Sequence, residues 1–220
     1  MKIKQFIENN AKIIEVTFSL ISLLIVGVFG TTISINNSIT SKASLELSKA
    51  QSQPIFNVKI EDTTTDDSAS EDLIISVDGG FAENVEVDEY VWIELKYENE
   101  NELIDNEFVI PNFYFGTYFS GNNRGEIVRL DDNNNLGKYI VFYKNVLANY
   151  ISKIKSLKRS TLVVIKYKDI SGNDYVKYYE NGKSYFNHIN NSDGEELVNK
   201  ISKMIPIKID ELTVEAVGLK

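Results

Sequence analysis

Lys153, Lys155, Lys158, Arg159, Lys166 and Lys168 crowd into twenty residues, Asn149 to Lys168, that hold no acid, in a 220-residue chain of formal net charge -9. Cations at that density are phosphate-binding chemistry. The segregation is wider than this stretch: residues 133–168 carry eight Lys or Arg and no Asp or Glu, whereas residues 55–110 carry seventeen acids and two Lys. The overall charge therefore conceals two local fields of opposite sign. Aromatic residues interleave with the basic tract at Tyr139, Phe142, Tyr143, Tyr150 and Tyr167. Just upstream, Phe113 to Phe119 holds five aromatics, Tyr114 and Tyr118 among them, with Arg124 and Arg129 close behind. Cations beside rings on a β surface suit single-stranded RNA or DNA, whose bases stack on aromatic side chains at about 1–3 kcal/mol each. Two other readings stand beside this one. The lysines can pair with the acidic half of the same domain or face solvent, or they can lie against anionic lipid.

Other chemistry is sparse. His188 is the one histidine, in a polar turn that reads as surface, and cysteine is absent, which excludes multi-histidine and thiolate metal sites and disulfides. Asp131, Asn133 and Asn135 resemble the start of a calcium loop, but Gly137 falls one place late and Phe142 stands where the closing Glu belongs. Asp169 and Glu180 have the end-to-end spacing of such a loop, yet a hairpin accounts for every residue between them. Asp66-Asp67 and Glu71-Asp72 read as parts of a solvated acidic loop. No phosphate loop, dinucleotide fingerprint or nucleophile elbow is present. The expectation is a non-enzymatic protein that needs no cofactor and no metal.

The elements that must position the basic tract begin at a membrane. Val16 to Ile35 runs without a charge, and a helix of that length covers roughly 30 Å, the thickness of a bilayer core. Val16, Leu20, Leu24, Val28 and Ile35 are its lipid-facing candidates. The run is long for a signal peptide and no small-x-small site follows it, so it reads as an uncleaved, single-pass anchor over 13–35 after a short tail, 1–12. Gly27 with Thr31 and Gly30 with Ser34 are small-xxx-small pairs through which two anchors can form a homo-oligomer. Lysines flank both ends, with a slight excess before the run, which leans the large domain towards the outside. A stalk follows at 36–54, with Ile39, Ala43, Leu47 and Ala50 on one helical face and Pro54 as its stop.

Beyond Pro54 the apolar period becomes two. "IFNVKI", "LIISV", "VWIEL", "YIVFY", "TLVVIKY" and "DYVKYY" read as strands bounded by turn residues, and "YKDISGNDYVKYY" as a hairpin. Two helices are expected. One spans 145–158 with Val146, Tyr150, Ile154 and Leu157 inward and Lys155 and Arg159 outward; the other spans 194–205, with Ser192 and Glu195 at capping-box spacing. The expected fold is mainly β (α+β): a β-sandwich or small Greek-key or OB-like barrel over 55–205, two short amphipathic helices, an N-terminal transmembrane helix, and a loose tail at 206–220.

An anchor at Val16 to Ile35, a strand-rich domain and a basic-aromatic tract together resemble the membrane-anchored abortive-infection proteins of bacterial phage resistance. The resemblance is one of layout and assigns no residues; it implies a tethered domain that captures single-stranded nucleic acid at the cytoplasmic face, for which the basic-aromatic tract itself offers Lys153, Lys155, Lys158, Arg159, Lys166, Lys168, Arg124, Arg129, Tyr114 and Tyr118. On that reading, charge reversal at Lys155 and Arg159 weakens binding without lowering stability. "LIISVDGGFAENVEV" fits a second class, an Ig-like extracytoplasmic domain whose partner is another protein.

Overall fold

From Phe56 to Ile60 every second side chain is apolar, the mark of a strand with one dry face. In the computed structural model these residues lie in β1 (Ile55–Asp62), with Phe56 and Val58 buried and Asn57 and Lys59 exposed. The structure describes residues 53–65, 68–80, 82–100, 102–118, 125–181 and 185–219, with residues 15, 19, 20, 22, 23 and 37–45; the side chains of Thr117 and Tyr118 are excepted. The chain divides into two units, Met1–Gln51 and Ser52–Lys220. In the first, residues 37–45 are helical, within the expected stalk. The expected anchor lies outside the described residues apart from a few helical positions that include Leu20. Among the described residues no helix is long and apolar enough to cross a membrane.

The second unit is mainly β. Strands β2 (Glu71–Gly79), β5 (Phe115–Tyr118) and β6 (Gly125–Asp131) join β1 in an antiparallel sheet of order β1-β2-β6-β5. A six-stranded sheet contains β3 (Glu83–Asn99), β4 (Glu102–Ile110), β7 (Ile154–Lys168), β8 (Asp174–Asn181), β9 (Phe186–Ile189) and β10 (Ile205–Pro206), in the order β10-β4-β3-β7-β8-β9. One hydrophobic cluster draws on both sheets, with Val58, Leu73, Ile75 and Val128 from the first and Val91, Ile93, Leu95, Val163 and Ile165 from the second. Because side chains alternate along a strand, Trp92, Leu162 and Val164 point to the other face of the larger sheet. There they meet Tyr178 and Ile201 in a second cluster. The hairpin appears as expected, β7 joined to β8 by a loop in which the Asp169 carboxylate accepts from the Ser171 and Asn173 amides at 2.8 and 2.9 Å.

The helices differ from the sequence expectation. Residues 139–143 are not a strand but part of helix α1 (Asn135–Tyr150), so the helix expected over 145–158 begins and ends earlier. Its start is set by Asp132, a buried carboxylate that accepts from the Leu136 amide at 2.7 Å and the Ser70 hydroxyl at 2.6 Å. Asn133 and Asn134 ahead of it adopt φ of 46° and 65°, which Asn tolerates better than most residues. Tyr139, Phe142, Val146 and Tyr150 then form the inward stripe. A turn at 151–153 leads straight into β7, so Ile154 and Leu157 reach the core from a strand. Helix α2 (Asn191–Ile201) is capped by Asn190, whose side chain accepts from the Asp193 amide at 2.9 Å; the Ser192–Glu195 box does not form its start. The expected loose tail is folded: Ile209, Leu212, Val217 and Leu219 are buried. Tyr97 Oη and Asn106 Nδ2 donate to the Gly218 and Val217 carbonyls at 3.2 and 3.0 Å.

Candidate functional site

The basic tract lies on β7, a central strand, and its neighbour β3 carries much of the acidic half. Register opposes Lys158 to Glu94, Lys166 to Glu86 and Lys168 to Glu83. Contacts follow from that placement. Lys155 Nζ lies 2.6 Å from Glu98, Lys166 Nζ 2.7 Å from Asp88, and Lys168 Nζ 3.4 Å from Asp174 on β8. Each exposed pair adds little stability, about 0–1 kcal/mol, but a phosphate would have to displace a carboxylate to use the lysine. Lys158 is exposed and has no ion pair among the described residues. Lys153 stands 6.0 Å from the Tyr150 ring.

Arg159 belongs elsewhere. Placing 154–158 at the start of a strand instead of the end of a helix turns it inward, where its side chain is 13% exposed. Its Nη1 and Nη2 lie 2.8 and 2.9 Å from the two oxygens of Glu71, itself 8% exposed at the side chain, on the opposing sheet. Tyr114 donates its hydroxyl to the same carboxylate at 2.5 Å. The guanidinium sits over the Phe113 and Tyr139 rings at 5.0 and 5.4 Å. Burial opposes the charge on Arg159, yet the Nη2 hydrogen bond to Glu71 and the neighbouring Glu71 and tyrosine oxygens outweigh it and raise its pKa. Desolvation and the adjacent Glu71 push the Tyr114 hydroxyl well above its ordinary value. Desolvation also pushes Tyr139 up to about 12. Tyr114 is therefore a buried hydrogen-bond donor and not a stacking platform, and Arg159 is an inter-sheet ion-pair partner and not a surface phosphate contact.

Arg129, on β6, is held by Asp72 at 2.5 Å and Glu126 at 2.8 Å, with Glu61 at 3.6 Å. Arg124 and the Tyr118 side chain lie outside the described residues. The tract thus does not converge into one exposed surface: Lys158 has no ion pair among the described residues, Lys155, Lys166, Lys168 and Arg129 are ion-paired, and Arg159 and Tyr114 are buried.

Sequence reasoning missed Glu71, treated as part of a solvated loop, and a cleft at the end of β4. That cleft has a volume of about 460 Å³ and is walled by Tyr90, Val109, Ile201, Met204 and Pro206, with Asp88 and Glu89 at its edge. Desolvation, and secondarily the neighbouring Asp88, raises the pKa of Glu89. The cleft arises where β4 ends: its pairing with β3 runs from Glu102–Asn99 only as far as Ile110–Val91. A partly desolvated carboxylate beside Tyr and aliphatic walls can receive a basic side chain with an apolar stem. Among the described residues no three His, Cys, Asp or Glu side chains converge as a metal site. No protein-family model matches the chain, and no curated protein or solved structure matches it.

Proposed function

We propose that this chain is a single-pass, membrane-anchored, non-enzymatic binding protein whose folded unit recognises another protein. The anchoring rests on the uncharged run Val16 to Ile35, and the two sheets are read as the layers of a β-sandwich. The observation that carries the protein partner is the cleft at the end of β4. Its volume of about 460 Å³ and its apolar walls with Glu89 at the rim suit a Lys or Arg anchor from a partner. Single-stranded nucleic-acid capture, and phage resistance with it, is the second reading. It is favoured by Lys158 and by Lys144, both exposed and outside ion pairs among the described residues.

Photocrosslinkers placed singly at Tyr90 and at Lys158 in membrane-embedded protein separate the two. Protease-sensitive adducts at Tyr90 support the protein partner. Nuclease-sensitive adducts at Lys158, with none at Tyr90, replace it by nucleic acid. Cleavage of the 55–220 region by protease added to intact cells excludes the nucleic-acid reading.

A further inference from the structure

Helix α1 buries Asn135, Phe142 and Val146, which leaves a far side that is unusually apolar for a helix facing water. Ile140, Lys144, Leu147 and Ile151 follow at spacings of four, three and four, one stripe of a helix. Ile151 closes the helix still in right-handed helical conformation, with φ of -54° and ψ of -34°. It is 68% exposed, Val141 beside the stripe is 60% exposed, and Tyr143 is 36% exposed. Among the described residues of the second unit no other helix or strand carries two large exposed hydrophobics. The only charges on α1 are Lys138 and Lys144, and Lys153 follows in the turn; no acid occurs from residue 133 to 168.

We infer that this outward stripe of α1 lies on the surface of an anionic lipid bilayer, with Ile140, Leu147 and Ile151 among the acyl-chain ends and Lys144 and Lys153 at the headgroup phosphates. The inference rests on the membrane-anchored reading above. An apolar stripe edged by lysines and tyrosines is the pattern of a helix lying in a membrane interface. Two acids beside the helix stand on its other flank, where Asp210 takes Lys138 at 2.8 Å and Glu215 lines the groove beside Val141. A second copy is a poorer occupant, since a two-fold contact would bring Lys144 against the same basic stripe with no acid on either helix to answer it. An anchor ending near Ile35 with a stalk at 36–54 would also keep the folded unit close to the bilayer, which raises the effective concentration of its surface.

The absence of cysteine allows a unique label. Ala148→Cys is exposed on the outward side of α1, and Ser171→Cys, exposed in the β7–β8 hairpin loop, serves as control. Each full-length variant carries an environment-sensitive nitrobenzoxadiazole dye and is reconstituted into vesicles of phosphatidylcholine alone or mixed with phosphatidylglycerol. In the anionic vesicles the dye at position 148 is expected to brighten and shift to shorter wavelength, and the dye at 171 to stay in water. The shift should shrink as salt rises, and disappear with Lys144→Glu and Ile151→Glu combined. Identical behaviour at 148 and 171 in carbonate-resistant protein overturns the docking and leaves the anchor standing. A shift that ignores lipid charge and grows with protein density overturns it in favour of self-association. If carbonate extracts the protein, the anchor reading falls; flotation with phosphatidylglycerol vesicles then decides the docking, supported by a dye shift at 148 and overturned by failure to float.

Discussion

Arg159→Met leaves the Glu71 carboxylate buried without its cation. Glu71 and Arg159 are 8% and 13% exposed at their side chains, so water recovers little of the lost interaction. Breaking a buried pair on one side costs about 3–5 kcal/mol, and a domain of this size has about 5–15 kcal/mol in total. For a domain of 150–250 residues each kcal/mol moves Tm by about 2–4 °C, so the melt should fall by about 6–20 °C. Trp92 is the chain's single tryptophan and is 2% exposed, which makes its emission a direct reporter of unfolding in the detergent-solubilised full chain. Tyr114→Phe, which removes one hydrogen bond to a charged acceptor, should cost less, about 1.5–3 kcal/mol.

The decisive variant is Glu71→Leu, Arg159→Met and Tyr114→Phe together. Removing every member of a buried ionic cluster and filling the space with apolar side chains is often neutral. The triple variant should therefore melt close to the parent and well above Arg159→Met alone. If Arg159→Met costs less than about 1 kcal/mol, the pair is solvated in practice. A triple variant as unstable as the single one would mean that the contact of the Arg159 guanidinium with the Phe113 and Tyr139 rings, not charge pairing, holds the two sheets. Either result defeats the reasoning. The sequence expectation that charge reversal at Arg159 leaves stability intact is replaced by its opposite.

Tyr167 and Tyr179 are buried and pushed up to about 12, mainly by desolvation. Their contribution is fully present below pH 10, where the unfolded chain's tyrosines begin to ionise, and is lost as pH rises towards 12. The loss is about 2 kcal/mol each, read as a falling urea midpoint across that window. Truncation after Pro206 removes Ile209, Leu212, Val217 and Leu219, about 6–12 kcal/mol of buried apolar side chain, so the shortened chain should show no cooperative melt. Gly194→Ala should lower the melt although Ala favours helix, because a Cβ there meets the Tyr178 ring; overpacking costs about 1–3 kcal/mol.

The misreadings share one physical origin. Residues 139–143, Tyr-Ile-Val-Phe-Tyr, have strand composition, and local propensity favours β. The helix wins because Asp132, Asn133 and Asn134 start it and because Tyr139, Phe142, Val146 and Tyr150 then share an inward face. Val146 and Tyr150 were legible as part of that face. Extending the same spacing to Ile154 and Leu157 crossed the turn at 151–153, which neither Gly nor Pro marks. That single extension turned Arg159 outward on paper. On a strand its parity matches Leu157, Val163 and Ile165, which point into the shared core. Glu71 obeys the same rule on β2, in step with Leu73, Ile75 and Val77. Two charges of opposite sign, each at an inward position of a strand, must be paired across the core or be neutralised. The alternation visible in "LIISV" and "TLVVIKY" was thus enough to suspect both residues. What the alternation does not contain is which strands face each other, since β2 meets β7 across 88 residues of chain between Glu71 and Arg159. The cleft beside Glu89 is hidden for the same reason: it exists only because β4 stops at Ile110 while β3 pairs with β7 back to Glu83. The strands themselves are local facts, whereas the ion pair and the cleft are made by their lengths and neighbours.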